Sequence, residues 1–109
     1  MGVVRRLADQ DSAIIIEVVG RFDFLVHREF RAAYEQHNGI SHYLVDLSQA
    51  DYIDSTALGL LLMLRDYAGG NKESVSIVAS GSTWQILHMA CFDELFIVRA
   101  IDATPPQLR

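Results

Sequence analysis

The order of hydrophobic and polar positions divides the chain into alternating strand and helix signals. Val3 to Leu7 reads as a short edge strand, followed by a turn over Asp9-Gln10-Asp11-Ser12. Ala13 to Val19 predicts a second strand, because its β-branched run suits a pleated, half-buried surface, and Gly20-Arg21-Phe22-Asp23 ends it. From Phe24 the apolar residues Leu25, Val26, Phe30, Ala33 and Tyr34 recur near helical spacing, with Asp23 as a candidate N-cap and Asn38-Gly39 as the closing signal. His42 to Leu47 predicts a third strand, and Ser48-Gln49-Ala50-Asp51 a connection. Tyr52-Ile53 is a strand-like approach to the long apolar helix that begins around Asp54-Ser55-Thr56 and stops at Ala68-Gly69-Gly70. Ser74 to Ala79 turns from alternating to fully apolar, as a strand entering a core does. Ser82 and Gln85 have capping-box spacing, which predicts a helix to about Ala90, and Leu95 to Val98 is the last strand. Pro105 and Pro106 forbid an ordinary helix or central strand at the end of the chain, so 101–109 is expected to be a mobile tail. Strands alternating with helices predict a single α/β domain over 1–100, a sandwich in which crossover helices cover one sheet.

The central helix separates into two faces when positions advance by about 100° per residue from Ser55. Ala57, Leu60, Leu61, Leu64 and Ala68 cluster on one side and are expected to pack on the sheet. Ser55, Gly59, Leu62 and Asp66 cluster opposite, flanked by Leu58, Met63 and Arg65. A surface with a hydroxyl, a glycine notch and several apolar side chains suits a protein partner, although another element of the same fold could also cover it. Asp54 and Ser55 stand where a helix cap is needed, and serine, threonine and aspartate are the usual N-cap residues. A glycine inside a helix costs about 1 kcal/mol relative to alanine, so Gly59 points to close approach by a partner or by another backbone of the fold.

Composition narrows the function classes. Half of the 109 residues are hydrophobic, enough for one core and too few for two ordinary domains. A formal charge of −5 argues against general affinity for nucleic acid or anionic membrane, both of which attract basic surfaces. No signal-peptide pattern follows Met1-Gly2-Val3-Val4-Arg5-Arg6, and no apolar run reaches the roughly 18 residues that span a bilayer, so a cytoplasmic location without membrane insertion is expected. The single cysteine, Cys91, forms no internal disulfide, and its neighbours Met89, Ala90 and Phe92 predict a buried, inert thiol.

Recognisable catalytic chemistry is missing from the pattern. His27, His37, His42 and His88 lack metal-ligand spacing, and Cys91 has no adjacent histidine to form a nucleophilic pair. Gly69-Gly70 and Ser80-Gly81-Ser82 lack the spacing of a phosphate-binding loop, so no cofactor is expected. Asp93 and Glu94 sit in a helix-end context, while Trp84, Phe92 and Phe96 read as core or edge residues. A binding module is expected, and no enzyme.

Asp54-Ser55-Thr56-Ala57-Leu58-Gly59 resembles the phosphorylation motif of the STAS family, the fold of bacterial anti-sigma factor antagonists, with Ser55 at the phosphorylated serine. Gly20-Arg21-Phe22-Asp23 is similar to the family's Gly-x-Leu-Asp segment, whose aspartate lies near the phosphorylated helix start. Met89-Ala90-Cys91-Phe92-Asp93-Glu94-Leu95-Phe96 resembles the late helix-to-strand turn, and the likeness spans approximately Val3 to Ala100. Two positions depart from the pattern: Ala57 replaces the commoner glycine, and Phe24 stands where classical sporulation antagonists are often polar.

The resemblance implies a STAS-like domain with a mixed, mostly parallel β-sheet. It also implies partner switching, in which the unmodified protein binds an anti-sigma factor, often an ATP-dependent serine kinase. Phosphorylation of Ser55 would release that partner, and a metal-dependent serine phosphatase would restore binding. Asp23, Asp54, Thr56, Leu58, Gly59, Leu62 and Met63 are then the expected partner-binding residues, with Asp23 also readable as a helix cap. The competing expectation is a constitutive STAS subunit of an ATPase complex of the lipid-transport type.

Overall fold

A computed structural model describes residues 2–8, 12–35 and 39–101. Its strands are β1 (Gly2–Ala8), β2 (Ala13–Phe22), β3 (His42–Leu47), β4 (Ala50–Ile53), β5 (Val75–Ala79) and β6 (Ile97–Ala100). The α-helices are α1 (His27–Glu35), α2 (Ser55–Tyr67) and α3 (Gly81–Met89), and single turns of 3-10 helix lie at Phe24–Val26, Lys72–Ser74 and Phe92–Glu94. The sheet runs β1-β2-β3-β5-β6, with β1 antiparallel to β2 and every other pairing parallel. This is the mixed, mostly parallel arrangement that the resemblance implied. The turn residues Asp9, Gln10 and Asp11, the helix-closing Asn38 and the tail from Asp102 onward lie outside the described residues.

Alternation along the strands decides where the core sits. Ile14, Ile16 and Val18 of β2, Tyr43, Val45 and Leu47 of β3, and Val75, Ile77 and Ala79 of β5 are buried on one face of the sheet. Phe30, Ala33 and Tyr34 of α1, Ala57, Leu60, Leu61 and Leu64 of α2, and Leu87 of α3 join them in one cluster. The intervening residues Ile15, Leu44, Ser76 and Val78 are only half-buried and line a shallow depression of about 360 Å³ on the opposite face. The architecture is therefore two-layered, with helices on one side of the sheet.

Strand β2 is longer than its pattern suggested, and the excess positions the site. Its first half pairs with β3 from Ala13↔His42 to Glu17↔Asp46, and its last three residues pair with β4 through Arg21↔Tyr52 and Phe22↔Ile53. The register shifts between Gly20 and Arg21, and Gly20 has φ 87°, a left-handed conformation that glycine adopts without a Cβ clash. Between β3 and β4 the chain bends at Ser48-Gln49, where Asp46 Oδ1 accepts the Ser48 N–H at 3.0 Å and the Ser48 hydroxyl at 2.7 Å. The Gly20 N–H donates to the Gln49 carbonyl at 3.0 Å, locking bulge to bend. Ala50 and Asp51, expected in a connection, are thus the first residues of β4.

Three further local expectations are corrected. Helix α3 starts at Gly81, ahead of Ser82, because Ser80 has the extended backbone of a cap while its hydroxyl donates to the Ser48 carbonyl at 3.4 Å. The buried Thr83 hydroxyl donates to the Ala50 carbonyl at 3.3 Å, tying α3 to β4. Cys91 is exposed, since it takes the left-handed residue position (φ 62°) that closes α3 and turns its side chain away from the core. Leu95 and Phe96 precede β6, with Phe96 fully buried under the 3-10 turn of Phe92–Glu94.

Candidate functional site

Two neighbouring parallel strands end side by side, and each is followed at once by an aspartate-capped helical turn. Phe22 and Ile53, the last paired residues of β2 and β4, are buried, whereas Arg21 and Tyr52 face outward. After Phe22 comes Asp23, whose Oδ1 accepts the Leu25 N–H at 3.0 Å and caps the turn Phe24–Val26. After Ile53 comes Asp54, whose Oδ1 accepts the Ala57 N–H at 3.0 Å and caps α2. The parallel pairing sets the two carboxylates at the same end of the sheet.

Asp54 resolves the ambiguity over the helix cap. It performs the capping, so Ser55 is the first helical residue, exposed and with no side-chain hydrogen bond among the described residues. The Leu58 N–H reaches the Asp54 carbonyl at 3.1 Å, while the amides of Ser55 and Thr56 belong to the first turn, which has no intrahelical acceptors. Ser55 therefore carries a hydroxyl without a structural task, beside the positive end of the helix dipole.

The outward face of α2 continues from there. Gly59 is half-buried, and a Cβ built on it meets no atom within 4 Å, so no close contact inside the domain requires a glycine. Leu62 and Met63 are exposed, whereas Thr56 and Leu58 are half-buried, Leu58 packing against the core. Arg65 is drawn inward: its Nε donates to the Leu95 carbonyl at 2.9 Å, which makes it a brace within the fold.

Asp23 has two structural partners. Besides capping, its Oδ2 accepts from Arg21 Nε at 3.1 Å, and the Arg21 guanidinium carbon lies 3.9 Å from the centroid of the Tyr52 ring. The hydrogen bond to Asp23 raises the guanidinium above its ordinary pKa. Pattern reading missed the residues that follow Asp23. Phe24 is 60% and Leu25 82% exposed, because the chain makes a 3-10 turn before α1 and rotates Leu25 off the helix's buried stripe. Phe24 stacks on His27 with ring centroids 4.5 Å apart. The one available signal was that Phe24 departs from the polar residue often found there.

Among the described residues no group of three or more His, Cys, Asp or Glu could hold a metal ion, and no helix is long and apolar enough to cross a membrane. The geometry defines a small two-layer α/β domain that presents a capped helix start with an unengaged serine. The chain belongs to the STAS-domain family: the family model described as "Mlab, STAS domain" matches residues 6–99. A STAS-domain containing protein of Pseudomonas aeruginosa (strain UCBPP-PA14) is 45% identical over 86 residues, covering 76% of this chain and 84% of the relative. An anti-sigma factor antagonist from Mycobacterium paratuberculosis has the same fold, with a TM-score of 0.70 at 20% identity over 97% of this chain and 88% of the other. The anti-sigma factor antagonist SpoIIAA in its unphosphorylated form matches with a TM-score of 0.66 at 15% identity, over 94% of this chain and 90% of that one.

Proposed function

We infer that the protein is an anti-sigma factor antagonist controlled by reversible phosphorylation of Ser55. The observation that carries this is the division of labour at the helix start: Asp54 caps α2, which leaves the exposed Ser55 hydroxyl available for modification. In the unmodified state the face formed by Ser55, Gly59, Leu62 and Met63, with Asp23, Asp54, Thr56 and Leu58 at its base, binds an anti-sigma factor that is itself a serine kinase. In this role the protein acts in the cytoplasm as a binding module without catalytic activity of its own.

The switch is electrostatic and steric. Ser55 Oγ attacks the γ-phosphorus of a nucleoside triphosphate held by the kinase, the γ-phosphoryl bond to the diphosphate breaks, and the serine proton passes to a base of the kinase. The product carries about −1.5 to −2 charge at Ser55. Within the free domain the helix N-terminus favours that charge by about 0.3–1 kcal/mol. In a closed interface, desolvation and the neighbouring carboxylates Asp23 and Asp54 oppose it by several kcal/mol, and each 1.4 kcal/mol or so weakens binding tenfold. The interface effect is the larger, so phosphorylation releases the partner and leaves the fold intact. A metal-dependent serine phosphatase, by hydrolysing the phosphoserine, returns the protein to its binding form.

Affinity purification with the Ser55→Ala protein from native cells identifies the retained chains. After addition of nucleoside triphosphate the wild type is expected to leave its kinase, carrying a phosphoryl mass on Ser55, while Ser55→Ala stays bound. Equal release of the two proteins would refute the switch. Persistently unmodified Ser55, together with copurification of an ATPase and transporter subunits, would select the constitutive-subunit function instead.

A further inference from the structure

The geometry points to Arg21 as the intramolecular counter-ion that receives the phosphoryl group on Ser55. This rests on Ser55 being the modified residue and adds what holds the phosphate once it is attached. Arg21 faces outward at the end of β2, opposite Tyr52 of β4, and its side chain leans forward along the strand to Asp23. The parallel register that pairs Arg21 with Tyr52 and Phe22 with Ile53 brings Asp23 level with Asp54, one residue before Ser55. A guanidinium bound to Asp23 therefore lies at the end of the sheet from which α2 and Ser55 depart.

Three features suit this guanidinium to a phosphate. Only Nε is given to a carboxylate, at 3.1 Å, so the terminal NH2 groups donate to no carboxylate among the described residues. The Tyr52 ring lies against the guanidinium at 3.9 Å, and Asp23 is itself fixed by the Leu25 N–H, so the donor fork is held in place before any phosphate arrives. The side chain is about half exposed, with a relative accessibility of 55%, leaving room for a phosphoryl group to reach it. Arginine forks match phosphate oxygens two at a time, and the amides at the start of α2 supply donors from the other side. Arg21 also offsets the charge of Asp23, which would otherwise repel the phosphate together with Asp54. Held between Arg21 and the helix start, the phosphoserine stays folded onto the domain surface that the partner occupies in the unmodified state.

The test installs phosphoserine at position 55 during synthesis by codon suppression, which removes dependence on any kinase. The phosphate is then titrated by ³¹P NMR in the otherwise wild-type protein, in Arg21→Gln and in Arg21→Lys, each folded and again in denaturant as its own reference. A paired arginine favours the dianion, so the folded wild-type midpoint is expected about 0.5–1 pH unit below that of Arg21→Gln, a threefold to tenfold change in the ionisation constant. Arg21→Lys, which keeps the charge but loses the fork, is expected in between. Coincident midpoints for the folded wild type and Arg21→Gln would overturn the assignment. If Arg21→Gln does not fold, a wild-type midpoint equal in the folded and denatured states overturns it as well. Failure of the switch would show separately, as Ser55 unmodified in native cells whatever the titration gives.

Discussion

Replacing Gly59 with alanine should move stability and partner binding in opposite directions. Gly59 lies inside α2, and an added Cβ there meets nothing within 4 Å. The methyl group therefore adds no clash to the folded domain, while alanine is about 0.8–1.0 kcal/mol more favourable than glycine in a helix interior. For a domain near 100 residues that gain corresponds to a rise in Tm of roughly 4–8 °C. At a closely packed partner surface the same methyl overfills the contact by about 1–3 kcal/mol, a loss of some fivefold to 150-fold in affinity. Thermal unfolding of the isolated protein reads the first effect, and calorimetric titration with the partner retained by Ser55→Ala reads the second. A lower Tm would mean that Gly59 serves the fold. A higher Tm with unchanged affinity would remove this stretch of α2 from the docking face.

Other substitutions separate structural from functional residues. Asp54→Ala removes the α2 cap and should cost about 1 kcal/mol in denaturant unfolding, whereas Ser55→Ala should change stability by no more than about 0.5 kcal/mol; a reversal would reassign the cap. Cys91→Gly relieves a left-handed backbone at the end of α3 and should stabilise by about 1 kcal/mol, and Cys91 in the native protein should react with a thiol reagent without unfolding. Burial raises the phenol pKa of Tyr34 and of Tyr43 above the ordinary value. The folded state thus holds these protons more tightly than the unfolded chain, so their contribution is intact below about pH 10 and is lost as pH rises beyond it. Unfolding free energy followed by urea titration should fall on the alkaline side, and less steeply in Tyr34→Phe.

Much of the fold was legible because burial imposes periodicity. Ile14, Ile16 and Val18, Tyr43, Val45 and Leu47, and the stripe Ala57, Leu60, Leu61 and Leu64 each face the core as their spacing requires. What the pattern could not supply were features set by tertiary pairing. Strand β4 is set by its pairing with β2, whose register shifts between Gly20 and Arg21 at a glycine with positive φ. Leu25 was counted in the helical spacing and Cys91 expected to be buried among its apolar neighbours, yet a 3-10 turn rotates one outward and a left-handed residue exposes the other. At the candidate site, the aspartates and the serine were visible in the motif. The choice of Asp54 over Ser55 as the cap turns on a local backbone geometry that both residue types can adopt, and the stacking of Arg21 on Tyr52 on a distance between separate strands.

The two-residue bend at Ser48-Gln49 makes this part of the chain intolerant of length changes. Lengthening it by one residue would slip β4 against β2, and because strand side chains alternate, Ile53 would exchange places with Tyr52. Asp54 would carry its local cap along with α2, but Arg21 would lose its aromatic support. Descendants of this protein should therefore accumulate insertions elsewhere and keep this junction at fixed length, whichever partner they serve.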